Sequence, residues 1–174
     1  MSATGLEVFD TTLQKTNRWL KELMQILGTE DRHRAYLALF ATLHTLRDRL
    51  TVEEVAQLGA QLPMLIRGMY YEGWDPTRKP VRIRHRDEFL EVIGRYFEPD
   101  DDVDPEAVAR AVFTVLQMHV TEGEIEDVRH ILPSEIRELW PEVPQVTVAS
   151  RSSPAVGGSR RVSRGLGPEA RLAQ

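Results

Sequence analysis

Two arginines stand in the same phrase seventy positions apart. Leu62-Pro63-x-x-Ile66-Arg67 is matched by Leu132-Pro133-x-x-Ile136-Arg137, and an aromatic residue, Tyr70 or Trp140, follows each arginine by three. A guanidinium presents a planar fork of donors that suits a carboxylate or phosphate bidentately. If a twofold arrangement brings both groups near its axis, Arg67 and Arg137 can clamp one anion between them. The competing reading ties each arginine to an acidic side chain or to helix carbonyls. Recurrence of the phrase favours the second reading, because a fold constraint applies to both copies and a ligand site need not.

A second set of residues invites binding chemistry. Tyr70, Tyr71 and Trp74 run into Arg78, Lys79, Arg82, Arg84, His85 and Arg86. Aromatic and basic side chains on one segment can hold anions, peptides or single-stranded nucleic acid. Alternatively, Trp74, Val81 and Ile83 pin the segment to the body while its charges meet an acidic surface. The candidate ligand- or partner-binding residues are therefore Arg67, Tyr71, Trp74, Arg82, Arg84, His85 and Arg137.

Other constellations fail on spacing. Asp100, Asp101, Asp102 and Asp104 suggest a cation loop, but the glycine and glutamate of an EF-hand are replaced by Pro105 and Ala111. Acid ahead of a helix is stabilising on its own account. His33, His44, His85, His119 and His130 form no metal-binding pair, and Glu30-x-x-His33 is half of a di-iron signature whose other half is missing. Ser2 and Ser134 are the serines before the tail, and no nucleophile elbow, phosphate loop or dinucleotide fingerprint occurs. No metal or cofactor is expected, and the sequence points away from catalysis.

The bulk numbers set the frame. The chain has 174 residues and no cysteine, which removes disulfides and thiol chemistry and suits the reducing cytoplasm. The start MSATGLEVFD does not read as a secretory leader, and no apolar run nears the ~20 residues of a membrane helix. Residues 141–174 hold five arginines and two glutamates, leaving 17 basic and 25 acidic side chains, a net −8, in residues 1–140. Such an acidic body disfavours nucleic acid.

The elements that must position these residues are helices. Leu6, Phe9, Leu13, Leu20, Leu23 and Leu27 fall on one helical stripe that ends at Gly28. A second helix follows Asp31 and carries Tyr36, Leu39, Phe40, Leu43, Leu46 and Leu50. Thr51-Val-Glu-Glu54 reads as a capping box for a third, and Pro63 opens a fourth. After a linker at 72–86 the order restarts: Phe89, Leu90, Ile93 and Phe97; then Val108, Val112, Val115, Leu116 and Met118 behind Asp104-Pro105; then Thr121-Glu-Gly-Glu124; then Pro133.

Laid over one another without a gap, residues 17–70 and 87–140 are identical at ten of 54 pairs, against roughly three or four from average composition. The matches fall at caps, breaks and stripe positions, as internal duplication predicts. Each unit is too small for a robust core of its own, so the two are expected to share one. The expected fold is an all-α bundle of seven to eight helices. It comprises two tandem four-helix repeats, at about 5–71 and 87–140, related by a pseudo-twofold within a domain spanning 1–141. The basic stretch 142–174, rich in proline, glycine and serine, is expected to be disordered, with a short extended segment at 146–150.

The phrases QLPMLIRGMYYEGWDP, HRDEFLEVI and VTEGEIEDVRHILPSEIRELWP resemble the bacterial family of the domain of unknown function 2267. The resemblance spans about residues 5–141. It implies a compact helical domain with an internal repeat and carries over no catalytic residue. The expected role is that of a non-enzymatic, cytoplasmic protein-interaction or stress-associated adaptor, with a protein partner or a homo-oligomer. A small-ligand or anion-binding module using Arg67, Arg137 and the linker is the alternative, and an unrecognised enzyme the third possibility.

Overall fold

The computed structural model describes residues 2–99 and 101–142. The expectations for Asp100, for the tail beyond Glu142 and for the segment at 146–150 lie outside the described residues. The described residues form eight helices: α1 (Glu7–Leu27), α2 (Arg32–Arg49), α3 (Val52–Gln61), α4 (Met64–Tyr71), α5 (Arg86–Gly94), α6 (Pro105–His119), α7 (Glu122–Ile131) and α8 (Ser134–Arg137). A single 3-10 turn covers Pro76–Arg78, and the described residues contain no strand. The all-α expectation holds, and none of these helices is long and apolar enough to cross a membrane.

Local chemistry sets the boundaries. Gly28 closes α1 in the left-handed conformation at φ 65°, a region open to glycine at little cost. The Asp31 carboxylate accepts from the amides of His33 and Arg34 and starts α2. Leu62 is extended, with ψ 144°, as a residue before proline should be. Pro63 then sits one residue ahead of α4, and its carbonyl accepts the amide of Arg67. Asp104 caps α6, whose first residue is Pro105.

The two expected capping boxes do not form as such. Thr51 accepts from the Glu54 amide at 3.3 Å, but the Glu54 side chain faces α7 rather than returning to the cap. At α7 the cap comes from the other half of the chain: the Gln61 carboxamide donates to the Thr121 hydroxyl and accepts from the Thr121 amide, both at 2.9 Å. Sequence offers no local sign of a cap supplied from sixty residues away. Replacing Gln61 with alanine is expected to cost about 1 kcal/mol. In a double-mutant cycle, Thr121→Ala should then add little, read from urea midpoints.

The core is one cluster drawn from both halves, with Leu39, Leu43 and Leu46 of α2 and Val108, Val112, Phe113 and Leu116 of α6 at its centre. Helix neighbours come in reciprocal sets: α1 on α2 and α5 on α6, α1 on α6 and α2 on α5, α1 on α4 and α5 on α8, with α2 facing α6 and α3 facing α7. The lengths are unequal, 21 residues in α1 against nine in α5 and eight in α4 against four in α8. Residues up to Glu142 belong to one compact unit.

Two assignments of apolar positions need correction. Leu6, Phe9 and Leu13 do not face the core; they are 53%, 46% and 36% exposed, and burial along α1 begins at Thr16. The first turns of α1 run past the neighbours that cover its second half. Met118, counted among the apolar residues of α6, is also exposed, since it lies off the face that α6 turns to α1 and α2.

Candidate functional site

Arg67 lies on the outer face of α4, one turn after Pro63. Its Nε donates to the Gly59 carbonyl at 2.8 Å, and Nη2 donates to the carbonyls of Ala60 at 3.1 Å and Leu62 at 3.0 Å. These are carbonyls at the end of α3, which have no partner within that helix. Arg137 does the same for α7, with Nη2 on the Leu132 carbonyl at 3.0 Å. Each arginine thus serves the helix that precedes its own. No hydrogen bond or ion pair among the described residues links the two, and the concavity that Arg67 lines does not include Arg137.

The linker aromatics are tucked in. Tyr71 is half-buried and donates its hydroxyl to the Val55 carbonyl at 3.3 Å, beside the Tyr70 hydroxyl on the same oxygen at 3.0 Å. Its ring lies over Gly59, where an added Cβ would collide with the Tyr71 hydroxyl, so a larger residue at 59 must displace Tyr71. Trp74 packs 5.7 Å from Tyr71 against the core. Its indole N–H is buried and has no hydrogen-bond partner among the described residues.

The basic part of the linker divides. Lys79 pairs with Asp48 at 2.9 Å, and Arg49 donates to the Ile83 carbonyl at 2.7 Å, so the segment is tied down along α2. Arg82 and Arg84 are exposed. His85 meets Glu135 at 3.2 Å, and Glu88 accepts from the Arg84 and His85 amides. The amide bonds and the neighbouring charge of His85 hold the Glu88 carboxyl below the usual range, burial opposing them weakly. Of the seven candidate residues, Tyr71 and Trp74 come together, Arg82, Arg84 and His85 lie further along the linker, and Arg137 stands apart from Arg67.

Arg67 instead faces residues that sequence reasoning passed over. A concavity of about 420 Å³ is lined by Lys15, Arg18 and Trp19 of α1, the α3–α4 junction, Arg67 and His119. His119 stacks on Trp19 at 4.9 Å and bonds to Glu22. Burial works to raise the Glu22 carboxyl, but its bonds to His119 and Arg18 outweigh that and hold it below the ordinary range. A sequence signal existed: Lys15, Arg18 and Lys21 recur every three residues on α1 and include two of the three lysines in the chain.

Beside this concavity lies an apolar end. Leu6, Val8, Phe9 and Leu13 of α1 and Met64 and Leu65 of α4 are each at least 36% exposed. The Leu65 amide donates to the Thr12 hydroxyl at 2.9 Å, which fixes the start of α4 against α1. Six of the eleven large apolar residues exposed in the described chain therefore gather at one end.

Curated proteins give no match to this chain. Residues 16–139 match the family described as Uncharacterized conserved protein (DUF2267). The matched segment begins at Thr16, the first buried residue of α1, so the exposed stripe Leu6–Phe9–Leu13 lies ahead of it. It contains both Leu-Pro-x-x-Ile-Arg phrases and the whole packed body from α2 to α8. With well over half of its length matched in this way, the chain belongs to the DUF2267 family of uncharacterised conserved proteins.

Proposed function

We propose that this protein works through protein–protein contact, as a homodimer whose copies meet at the apolar start of α1. One observation carries this: Leu6, Phe9 and Leu13 form a helical stripe with no covering element, and Val8 on the adjoining face lies with Met64. Contiguous exposed apolar surface of this kind marks contact sites. A second copy is the occupant that the charges favour. Glu7 lies in the first turn of α1, and Lys21, outside the concavity, lies in its second half. Antiparallel pairing of two such helices sets acid against base twice, as an isologous contact requires.

The same reading takes the body to be a duplicated unit, supported by the ten identical pairs and by the reciprocal helix neighbours. A cytoplasmic setting is supported by the lack of cysteine. The linker contributes less to the contact surface than its composition suggests, because Tyr71 and Trp74 pack inward.

Sedimentation of the full chain across micromolar concentrations tests the proposal. Wild type should be dimeric, and a Phe9→Ser/Leu13→Ser variant should lose about a hundredfold or more in self-affinity. At concentrations too low for pairing its melting temperature should match that of wild type, since neither side chain supports the core. A monomeric wild type would overturn the homodimer and leave the stripe to a different protein, in the manner of an adaptor; a variant that still pairs would overturn the placement of the contact on α1.

A further inference from the structure

We propose that the concavity bounded by α1, the α3–α4 junction and the end of α6 binds a small organic anion through its carboxylate or phosphate head. At about 420 Å³ it is large enough for such a ligand. Lys15, Arg18, Arg67 and His119 line it, and no carboxylate does. On a body with a net charge of −8 over residues 1–140, Lys15, Arg18 and Arg67 on one wall are a departure that needs a cause.

Fixed geometry sets Arg67 apart from an ordinary solvated cation. Arg67 spends Nε and Nη2 on the α3 carbonyls, which locks its guanidinium in place. Among the described residues its Nη1 makes no hydrogen bond, and Lys15 makes no ion pair, so both have donors to give. Helix α4 begins at the same wall, with Pro63 and Met64 in the lining, and its N-terminal end adds partial positive charge. The nearby acid, Glu22, is already engaged by Arg18 at 3.1 Å and by His119.

The rest of the lining defines the body of the ligand. Trp19, only 2% exposed, forms the floor with its ring stacked on His119, and Leu62, Pro63 and Met64 complete an apolar side. A charged head toward Lys15, Arg18 and Arg67 and an apolar or planar body toward Trp19 and Met64 is the complementary shape. This site uses Arg67 without Arg137, so it requires no axis between the two arginines.

The test is a titration of the full chain with inorganic phosphate and with phenyl phosphate, followed by amide and indole NMR shifts. Saturable shifts at the Trp19 indole and around Arg67 are expected, with phenyl phosphate the tighter of the two. Lys15→Gln/Arg18→Gln should weaken phenyl phosphate by about tenfold or more, with no change in melting temperature. The Phe9→Ser/Leu13→Ser variant should bind as wild type does, which separates this site from the proposed dimer contact. No saturation at millimolar concentrations, or equal binding by the Lys15/Arg18 variant, would overturn the site. Equal affinity for the two probes would overturn the apolar subsite, and loss of binding in the Phe9/Leu13 variant would overturn its location within one copy.

Discussion

Replacing Arg47 with methionine is expected to lower stability by about 3–5 kcal/mol. Arg47 is 4% exposed in the last turn of α2. Its Nη1 donates to the carbonyls of Tyr70 at 2.7 Å and Glu72 at 2.9 Å, and its Nε meets Asp48 at 2.8 Å. Methionine keeps much of the stem but leaves the end of α4 with two carbonyls lacking this donor, and Asp48 with Lys79 alone. Burial pushes the Asp48 carboxyl up, while Arg47 and Lys79 together bring it below its ordinary range. Asp48 therefore contributes stability that is present above about pH 4 and lost as pH falls through its lower folded value. Urea unfolding at neutral pH checks the main effect. Arg49→Met, which removes one bond from a half-buried arginine, is the control and should cost about 1 kcal/mol. Equal losses in the two variants would show that Arg47 does not hold the linker down.

The importance of Arg47 was hidden in the sequence for a physical reason. Periodicity marks the apolar face of a helix, and α2 shows one through Leu39, Leu43 and Leu46. It does not show that the polar face between them is also covered. In the folded chain Ala41 to Arg47 are buried without a break, including Thr42, His44 and Thr45. The cover comes from α4, α5 and the linker returning across α2, a long-range event with no local signature. His44 illustrates the consequence. Burial holds its imidazole below the ordinary histidine range, and the Met69 carbonyl at 2.6 Å gives the ring a partner.

The opposite error arose on α1. Spacing correctly identified one apolar stripe from Leu6 to Leu27, but it cannot say where the neighbouring helices end. Leu20 and Leu23 are covered, whereas Leu6 and Phe9 are not. What survives best from sequence is chemistry that acts within a few residues: Gly28, Asp31, the Leu62-Pro63 break and Asp104-Pro105 all stop or start helices where expected. The arginine phrase was legible as a helix-carbonyl tie for the same reason, since its acceptors lie within eight residues. The concavity was not, because it joins α1 to residues forty to a hundred positions away.

Changing Glu54 and Glu124 together to glutamine is expected to stabilise the protein at neutral pH by about 2 kcal/mol. The two glutamates occupy equivalent places in the repeated phrases and approach one another where α3 packs on α7. Glu54 Oε2 and Glu124 Oε1 are buried and have no hydrogen-bond partner among the described residues. Burial, then Asp127 and Glu53, raise the Glu54 carboxyl; burial, then Glu54 and Asp127, raise that of Glu124. A raised folded pKa means that the folded state holds these protons more tightly than the unfolded chain does. Their contribution to stability is thus full below the unfolded glutamate value of about 4.3 and is lost as pH rises through the folded value. Glutamine fixes the uncharged form, so the gain of the variant over wild type should be largest at neutral pH and shrink toward about pH 4, where the wild-type carboxyls are themselves protonated. Asp127→Asn should give part of the gain without touching either buried oxygen. Urea midpoints for the three proteins across that range decide the matter: a gain that does not vary with pH, or a less stable variant at neutral pH, would mean that ionised carboxylates at the α3–α7 contact are not what limits stability there.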